Sequence, residues 1–421
     1  MPRVAMISEH ASPAARLGST DAGGQNTYVD QVSRGVARLG YEVDVFTRAD
    51  DPAELAIRTW GDGIRIVPVV AGPLRPIPKD SLWPHLGDFL ASTERLAADS
   101  GPYDLIHANF WMSGWVGARL KRRWNVPFVE TFHALGAVKR LHQGQADTSP
   151  PERPAAERAV LEAADCIIAQ CPREVDELVA MYAADASRAR IIPSGVDVER
   201  FFPIDQASAR RELGLPLDER LVVYVGRLLP RKDVENVIRA IALLPSPSPA
   251  SVRLLVVGGE TEEAALDREP EMRRLLDVAA ALGVRDRVTF VGRRPADRLR
   301  TYYSAADVFV STPWYEPFGL TPLEAMACGT PAVCSAVGGI TFTVADGVTG
   351  FLVPPREPGR LAERLARVLA DEDLRRRLAQ NARRRVEELF TWSTVATKTA
   401  DVYQELLAGG AACHHHVRRN H

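Results

Sequence analysis

Short runs rich in valine and isoleucine alternate with helical patterns along nearly the whole of this 421-residue chain. This alternation is typical of parallel sheets covered by helices, because each parallel connection needs a crossover. The strand candidates of the first half are 4–8, 41–47, 64–69, 105–109, 128–133, 166–170 and 190–193. Those of the second half are 221–225, 253–257, 288–291, 307–311, 332–334 and 351–353. The pattern predicts an α/β fold with two Rossmann-like, doubly wound sheets.

The turn-rich segment 194–203 separates the two sets of strands and is interpreted as a linker. It predicts a first domain over residues 1–203 and a second over 204–391. Residues 392–408 carry apolar side chains at helical spacing, which predicts a helix that packs back on the first domain. Residues 409–421 contain a histidine run and are interpreted as a disordered tail rather than a metal site. Since open parallel sheets bind ligands at the carboxyl ends of their strands, two facing sheets predict a cleft.

The segment from Glu316 to Glu324, with the sequence Glu-Pro-Phe-Gly-Leu-Thr-Pro-Leu-Glu, places two carboxylates around a strand-to-helix turn. It follows the strand candidate 307–311 and leads into a helix predicted over 322–328. Residues 319–321 would then lie at a helix N-terminus, where backbone N–H groups bind anions and a glycine lets a phosphate approach. Carboxylates beside a phosphate site suit hydroxyl groups, so the segment predicts a site for a sugar nucleotide.

A purely structural interpretation of the same segment is also open. Thr321 and Glu324 have the spacing of a capping box, in which the acid bonds back to the backbone at the start of the helix. Glu324 would then be only a cap. A capping box explains neither Glu316 nor the Pro-Phe-Gly-Leu turn.

Three further groups of residues follow strand candidates. Gly23 and Gly24 open a helix, where they would form either a second backbone anion site or an ordinary flexible turn. Arg227 and Lys232 follow a strand end and could neutralise a departing diphosphate, or else belong to a solvated basic loop. His133 ends its strand and is either catalytic or a strand cap.

Composition and motifs exclude several other classes. The chain has 52 lysines and arginines against 54 acidic residues, so nucleic acid is not expected as the main partner. No Gly-x-Gly-x-x-Gly or Gly-Lys-Ser/Thr motif is present, which argues against a dinucleotide oxidoreductase and an ATPase. No Asp-x-Asp follows a strand, so no metal is expected to hold a nucleotide.

The five cysteines have no framework spacing and are expected to be thiols in a reducing compartment. No secretory signal is visible, and no apolar stretch approaches the roughly 20 residues needed to span a bilayer. A cytoplasmic protein is therefore expected. Peripheral membrane contact and the oligomeric state are left open.

Together these residues resemble the large retaining glycosyltransferase family 4, with the GT-B fold of two facing Rossmann-like domains. Its members include sucrose-phosphate synthase and inositol-phosphate glycosyltransferases. The resemblance runs from about Val4 to Leu407. The motifs that carry it are the segment 316–324, Gly23-Gly24-Gln25, Gly226-Arg227 with Lys232, and the segment 131–136, Thr-Phe-His-Ala-Leu-Gly.

The resemblance implies a division of roles around the donor. Glu316 would contact the sugar hydroxyls, Arg227 and Lys232 the β-phosphate, and His133 would lie beside the sugar; these four form the implied catalytic set. Glu324 would bind the ribose. The other implied donor-binding residues, which would contact the diphosphate, the sugar or the base, are Gly23, Gly24, Arg294, Phe318, Gly319 and Leu320.

The acceptor side matches the family less well. Lys79 and Arg153 fall where inositol-phosphate enzymes bind the acceptor phosphate. Phe110 and Ala134 stand where those enzymes have a tyrosine and a threonine. Two of the four contacts are therefore missing, although Phe110 keeps its place in the implied acceptor set with Lys79 and Arg153. The Gly-Gly-Gln and His-Ala-Leu-Gly motifs lean toward sucrose-type and polysaccharide-type members.

The implied activity is transfer of a hexose from a nucleotide-diphosphate sugar, with UDP-glucose favoured, to an acceptor hydroxyl. Retention would follow a front-face path, since no residue resembles a double-displacement nucleophile, and neither a metal nor another cofactor is expected. An inositol-phosphate-type glycosyltransferase is the nearest alternative. A sugar-nucleotide epimerase and a non-catalytic sugar-nucleotide binder are alternatives of other classes.

Overall fold

The computed structural model describes residues 1–15, 23–244, 252–264 and 269–409. It divides the chain into two compact units, one formed by residues 1–194 with the segment that starts at Trp392, and one by residues 195–391. This division differs from the predicted boundary after residue 203, because Val196 donates its N–H to the Phe390 carbonyl at 2.7 Å and Phe201 lies in the core of the second unit. Of the predicted tail, residues 410–421 lie outside the described residues.

The described ranges contain fourteen strands and fifteen α-helices, with short 3-10 helices and loops between them. The strands are β1 (Arg3–Ile7), β2 (Glu42–Arg48), β3 (Arg58–Gly61), β4 (Ile64–Val69), β5 (Leu105–Asn109), β6 (Phe128–Thr131), β7 (Cys166–Ala169), β8 (Ala189–Ile191), β9 (Arg220–Val225), β10 (Val252–Val257), β11 (Val288–Gly292), β12 (Val308–Ser311), β13 (Ala332–Ser335) and β14 (Gly350–Val353). The helices are α1 (Gly24–Arg38), α2 (Leu86–Ser100), α3 (Trp111–Trp124), α4 (Gly136–Gln143), α5 (Arg153–Ala163), α6 (Pro172–Tyr182), α7 (Gln206–Glu212), α8 (Val234–Leu243), α9 (Pro270–Ala281), α10 (Ala296–Ala305), α11 (Leu320–Ala327), α12 (Ile340–Thr343), α13 (Pro358–Ala370), α14 (Glu372–Leu389) and α15 (Trp392–Leu407).

The first unit is built on an eight-stranded sheet in the order β3-β4-β2-β1-β5-β6-β7-β8. All neighbours are parallel except β3, which runs antiparallel to β4. The helix α15 packs on α1, where a Cβ added at Gly35 would overlap the Ala396 methyl group. Glycine at position 35 therefore allows the close approach of these two helices.

The second unit is built on a parallel six-stranded sheet in the order β11-β10-β9-β12-β13-β14. From β9 the chain builds outward through β10 and β11, then returns to the other side of β9 with β12. The strand order therefore reverses between β9 and β12, and an open sheet binds its ligand at such a point.

Both Rossmann-like α/β units confirm the predicted fold class, and each predicted strand is present within about two residues of its predicted bounds. Strand β3 was not predicted. Strand β3 is a short antiparallel strand at the edge of the sheet, and none of its residues is fully buried. Its sequence, Arg-Thr-Trp-Gly, therefore lacks the apolar run by which the other strands were predicted.

Candidate functional site

The two loops that follow β9 and β12 meet at the reversal point of the second sheet. The backbone N–H of Trp314 donates to the carbonyl of Arg231 at 2.9 Å, and Arg231 Nη1 donates to the carbonyl of Tyr315 at 3.3 Å. These bonds tie the β9 loop to the turn that carries Glu316. The structure thus brings together Lys232 and Glu316, which lie 84 residues apart in the sequence.

An ion pair joins the two loops. Lys232 Nζ donates to Glu316 Oε2, and the two side chains are 17% and 15% exposed. Of the predicted catalytic set, the structure therefore places these two residues in direct contact. Arg227 follows β9 on the same loop, with its side chain exposed to solvent.

The charges around this pair are unequal. Burial alone would raise the pKa of Glu316, but Lys232, Arg231 and Arg227 hold that pKa below its usual range. Burial lowers the pKa of Lys232, and the neighbouring arginines lower it further, against the opposite effect of Glu316. One carboxylate among three cations leaves the site with excess positive charge, which suits a diphosphate group.

The helix α11 begins beside this cluster. Gly319 precedes its first residue with a φ of +91°, a conformation that favours glycine, and a Cβ there would lie 3.0 Å from Ile340. The first-turn N–H groups of a helix have no partners within the helix. The N-terminus of α11 can therefore donate to an anion held near Lys232 and Arg227.

The capping-box interpretation of Glu324 is wrong. The residue before the first turn of α11 is Gly319, not Thr321, and Glu324 lies in the second turn of the helix. Its Oε2 accepts a hydrogen bond from Tyr303 Oη at 2.7 Å. Burial raises the pKa of Glu324 to about 7, although the bond to Tyr303 and the charge of Arg200 act in the opposite direction.

This pKa predicts a pH-dependent stability term. A free glutamate has a pKa of about 4.3, so between pH 4.3 and 7 the native protein binds more protons than the unfolded chain does. The contribution of Glu324 is therefore fully present below about pH 4.3 and is lost as the pH rises through 7. We expect the free energy of unfolding of the wild type, relative to Glu324→Gln, to fall across this window. Denaturant titrations at pH 5, 6, 7 and 8 measure it, and a difference that does not change with pH would contradict the assignment.

Gly338 and Gly339, which were not predicted as site residues, lie against the turn that carries Glu316, here called the acid turn. The N–H of Gly339 donates to the carbonyls of Glu316 at 3.2 Å and Pro317 at 3.1 Å. A Cβ at Gly339 would lie 2.5 Å from Phe318 Cα, and one at Gly338 would overlap the Glu316 carbonyl oxygen. Both glycines follow β13, and their position after a strand end is the signal that could have identified them.

Arg294, one of the implied donor-binding residues, was expected near the base of the nucleotide. It follows β11 in the same unit. Its Nε donates to Tyr302 Oη at 3.1 Å, and its Nη1 donates to the carbonyls of Arg293, at 2.9 Å, and Glu262. Internal hydrogen bonds hold the guanidinium on a loop at the carboxyl end of the sheet.

His133 lies at the carboxyl end of β6 in the first unit, with a φ of +59°. Its Nε2 is 2.9 Å from Asn109 Oδ1, and Gln170 Nε2 is 3.3 Å from its Nδ1. Burial lowers the pKa of His133 to about 3, with smaller contributions from His107 and His10. The imidazole is therefore neutral near pH 7, and both of its nitrogens are engaged within the first unit. This arrangement suits a positioned hydrogen-bonding group better than a cationic acid.

The predicted glycine pair lies at the start of α1. Gly23 precedes the helix, Gly24 is its first residue, and the N–H of Gly23 donates to Asn26 Oδ1 at 2.9 Å. A Cβ at Gly23 would find no described atom within 4 Å. Local packing therefore does not require glycine at position 23, whereas close approach of a ligand to the backbone would.

The three predicted acceptor residues fall into two places. Arg153, only 2% exposed, donates from Nε to Glu157 at 2.8 Å and from Nη2 to the Ala134 carbonyl at 2.6 Å. Its guanidinium lies 5.1 Å from the ring centroid of Phe110, which is itself buried. Lys79 instead lines a cavity of about 550 Å3 in the first unit, and neither Arg153 nor Phe110 lines it.

Three properties of the described residues bear on the other expectations. No group of three His, Cys, Asp or Glu side chains in these ranges is arranged to hold a metal ion. No helix within them has the length and apolar character to cross a bilayer. Among the described residues, Cys166, Cys171, Cys328 and Cys334 are buried thiols that form no disulfide, and Cys413 lies outside the described residues.

Comparison with known families matches both units. The family model for group 1 glycosyl transferases matches residues 205–385, and the model for glycosyltransferase family 4 matches residues 22–200. The D-inositol 3-phosphate glycosyltransferase of Acidothermus cellulolyticus is 41% identical over 96% of this chain and 91% of the relative. That of Mycolicibacterium vanbaalenii is 39% identical over 98% and 92%.

Solved structures give a consistent comparison. Sucrose-phosphate synthase from Thermosynechococcus elongatus is 40% identical, with a TM-score of 0.88 over 97% of this chain and all of that one. HepE from Anabaena, solved in complex with UDP, is 23% identical, with a TM-score of 0.76 over 96% of this chain and all of that one. At this lower identity the likeness to HepE shows the fold alone.

Proposed function

The chain belongs to the family of group 1 and family 4 glycosyltransferases, and from this membership we propose that it transfers a hexose from a nucleoside-diphosphate sugar to an acceptor hydroxyl. UDP-glucose is the proposed donor, and the anomeric configuration is retained without a metal or another cofactor. The proposal includes a cytoplasmic location, which the four buried thiols without disulfides support, because a reducing compartment keeps thiols reduced.

The observation that carries the proposal is the contact between Lys232 and Glu316 at the reversal point of the second sheet. Lys232, Arg227 and the N-terminus of α11 supply donors for a diphosphate. Glu316, kept ionised by these cations, can accept hydrogen bonds from the hydroxyl groups of the attached sugar. Glu324 is proposed to contact the ribose.

The proposed reaction proceeds on one face of the sugar. The acceptor hydroxyl oxygen forms a bond to the anomeric carbon while the bond from that carbon to the diphosphate oxygen breaks. The acceptor proton passes to the departing phosphate oxygen. Lys232 and Arg227 stabilise the charge that grows on that phosphate. The ion pair with Lys232 supports hydroxyl binding by Glu316 rather than nucleophilic attack.

Retention and metal independence have direct tests. Because glucose in UDP-glucose is α-linked, we expect proton NMR of the first product to show an α-glucoside, or α-glucose when water is the acceptor. EDTA should change the rate by less than about twofold. A β-linked first product, or a large loss of rate that added Mg²⁺ restores, would contradict these two parts of the proposal. Conversion of UDP-glucose to another UDP-sugar without an acceptor would instead indicate epimerisation.

A further inference from the structure

The cavity of the first unit is not used by the proposed donor site. Its volume of about 550 Å3 falls in the range of small-molecule binding sites. His10, which follows β1, and Arg48, at the end of β2, contribute to its walls, as does Lys79 on the segment after β4. The cavity therefore lies at the carboxyl ends of parallel strands, where open sheets bind their ligands.

Apart from His10, the ionisable side chains on the cavity walls are balanced in number. Glu9, Asp50 and Glu54 supply three carboxylates, and Arg48, Arg58 and Lys79 supply three cations. This balance differs from the second unit, where three cations surround one carboxylate. A phosphate group that enters the cavity loses its hydration, which costs free energy. The cavity has no excess positive charge to offset this cost.

Arg48 and Arg58 already bond to groups of the first unit. Arg48 Nε donates to the Ala71 carbonyl at 2.9 Å, and Nη2 donates to the Arg75 carbonyl at the same distance. Arg58 Nη2 pairs with Glu54 Oε2 at 3.2 Å. Hydroxyl groups suit such walls better than a phosphate does, since each hydroxyl can donate to a carboxylate and also accept from a cation.

One wall of the cavity carries a positioned histidine. Glu9, 1% exposed, lies 2.6 Å through Oε1 from His10 Nδ1, and its Oε2 accepts from Ser113 Oγ. The His10 and Phe110 rings pack in a T-shaped arrangement, with their centroids 4.9 Å apart. A carboxylate accepts hydrogen bonds, so Nδ1 donates to Glu9. No described residue bonds to Nε2, which can therefore form a hydrogen bond with a ligand hydroxyl.

We propose that this cavity binds the acceptor as an uncharged sugar or polyol and that His10 Nε2 forms a hydrogen bond with one of its hydroxyls. His10 would then be a specificity-determining residue, with Glu9 and Ser113 positioning its ring. The inference rests on the proposed transfer reaction and specifies the substrate class of its acceptor. It differs from the phosphorylated inositol in the names of the relatives.

Matched acceptors test the substrate class. We would compare inositol with D-inositol 3-phosphate, and glucose with glucose 6-phosphate, using UDP-glucose as the donor and saturation-transfer NMR for binding. We expect an uncharged member to bind and to be glycosylated with a kcat/KM at least about tenfold above that of its phosphorylated partner. Preference for the phosphorylated members, or no binding of either uncharged probe, would overturn the inference.

Variants test the role of His10 with the acceptor so identified. His10→Ala should raise the acceptor KM about fivefold or more, the usual effect of one lost hydrogen bond, while the donor KM changes less than twofold. His10→Gln places an amide near the position of Nε2 and should restore part of the loss. Ala49→Leu, on the cavity wall, should impair acceptor binding independently by filling space. The matched control is His142→Ala, an exposed histidine of the same unit that does not line the cavity.

The two proposals fail differently. An unchanged acceptor KM in both His10→Ala and Ala49→Leu, or an equal rise in donor and acceptor KM, would overturn the cavity assignment while leaving transfer intact. Wild-type protein that neither binds nor turns over UDP-glucose would overturn the proposed function itself. Melting temperatures of all variants separate these outcomes from loss of folding.

Discussion

Lys232→Ala should lower kcat by about a hundredfold or more with the proposed donor. The substitution removes the cation nearest Glu316 from a partly buried site, and losing one well-placed charged contact to a transition state costs about 3–4 kcal/mol. Arg227→Ala should have an effect of the same order, because the same departing phosphate would lose a second cation. Steady-state kinetics with UDP-glucose measure both effects.

The matched control for these variants is Arg360→Ala in the same unit. The Arg360 side chain is 68% exposed and pairs with Glu363 at 3.1 Å on α13. The Arg360→Ala variant should keep kcat within about twofold of the wild-type value. Near-wild-type turnover in both Lys232→Ala and Arg227→Ala would remove the basis for the proposed leaving-group site.

Gly338→Ala should reduce kcat/KM for the donor by about a hundredfold. The added methyl group would overlap the Glu316 carbonyl oxygen, so the acid turn must shift. A displacement of about 1 Å in a catalytic arrangement can cost that factor. The φ of +46° at Gly338 adds roughly 1–2 kcal/mol of backbone strain for any L-residue with a side chain. Both kcat/KM for the donor and the melting temperature of Gly338→Ala should therefore be lower than those of the wild type.

Gly347→Ala isolates the contribution of the turn. Gly347 has a comparable φ of +71°, yet a Cβ there would find no described atom within 4 Å. The two variants share the backbone strain, and only Gly338→Ala moves Glu316. We expect the shared strain to lower the melting temperature of both variants by a similar amount. The overlap should lower the melting temperature of Gly338→Ala further. Only Gly338→Ala should lose a large part of its activity. Equal activity in the two variants would show that the Gly338 contact does not position the acid turn.

The fold was predictable because buried parallel strands carry continuous apolar runs. The edge strand β3 lacks such a run and was missed. The helix after the acid turn was predicted from Pro322, which favours a first helical position. It begins two residues earlier, at Leu320. Proline is tolerated at the third position because the N–H it lacks would have no partner in the first turn.

The candidate site was predictable only in part, because its contacts are distant in sequence. The position of Lys232 and Glu316 after strand ends predicted their shared edge of the sheet, but not the contact of Arg231 with Tyr315. The neutral state of His133 depends on burial, which no local pattern gives. The pairing of Arg153 with Glu157 has a sequence signal, since the two residues are four apart on α5.

The central claim is that the loops of the second unit bind the diphosphate of the donor through Lys232. Calorimetric titration of UDP into the wild type and into Lys232→Ala tests it without knowledge of the acceptor. One charged hydrogen bond contributes about 1.5–3 kcal/mol, so the affinity of the variant should fall at least about tenfold. We predict that UDP binds saturably to the wild type and at least about tenfold more weakly to Lys232→Ala. Equal affinity in the two proteins, or no binding of UDP by the wild type, would contradict the claim.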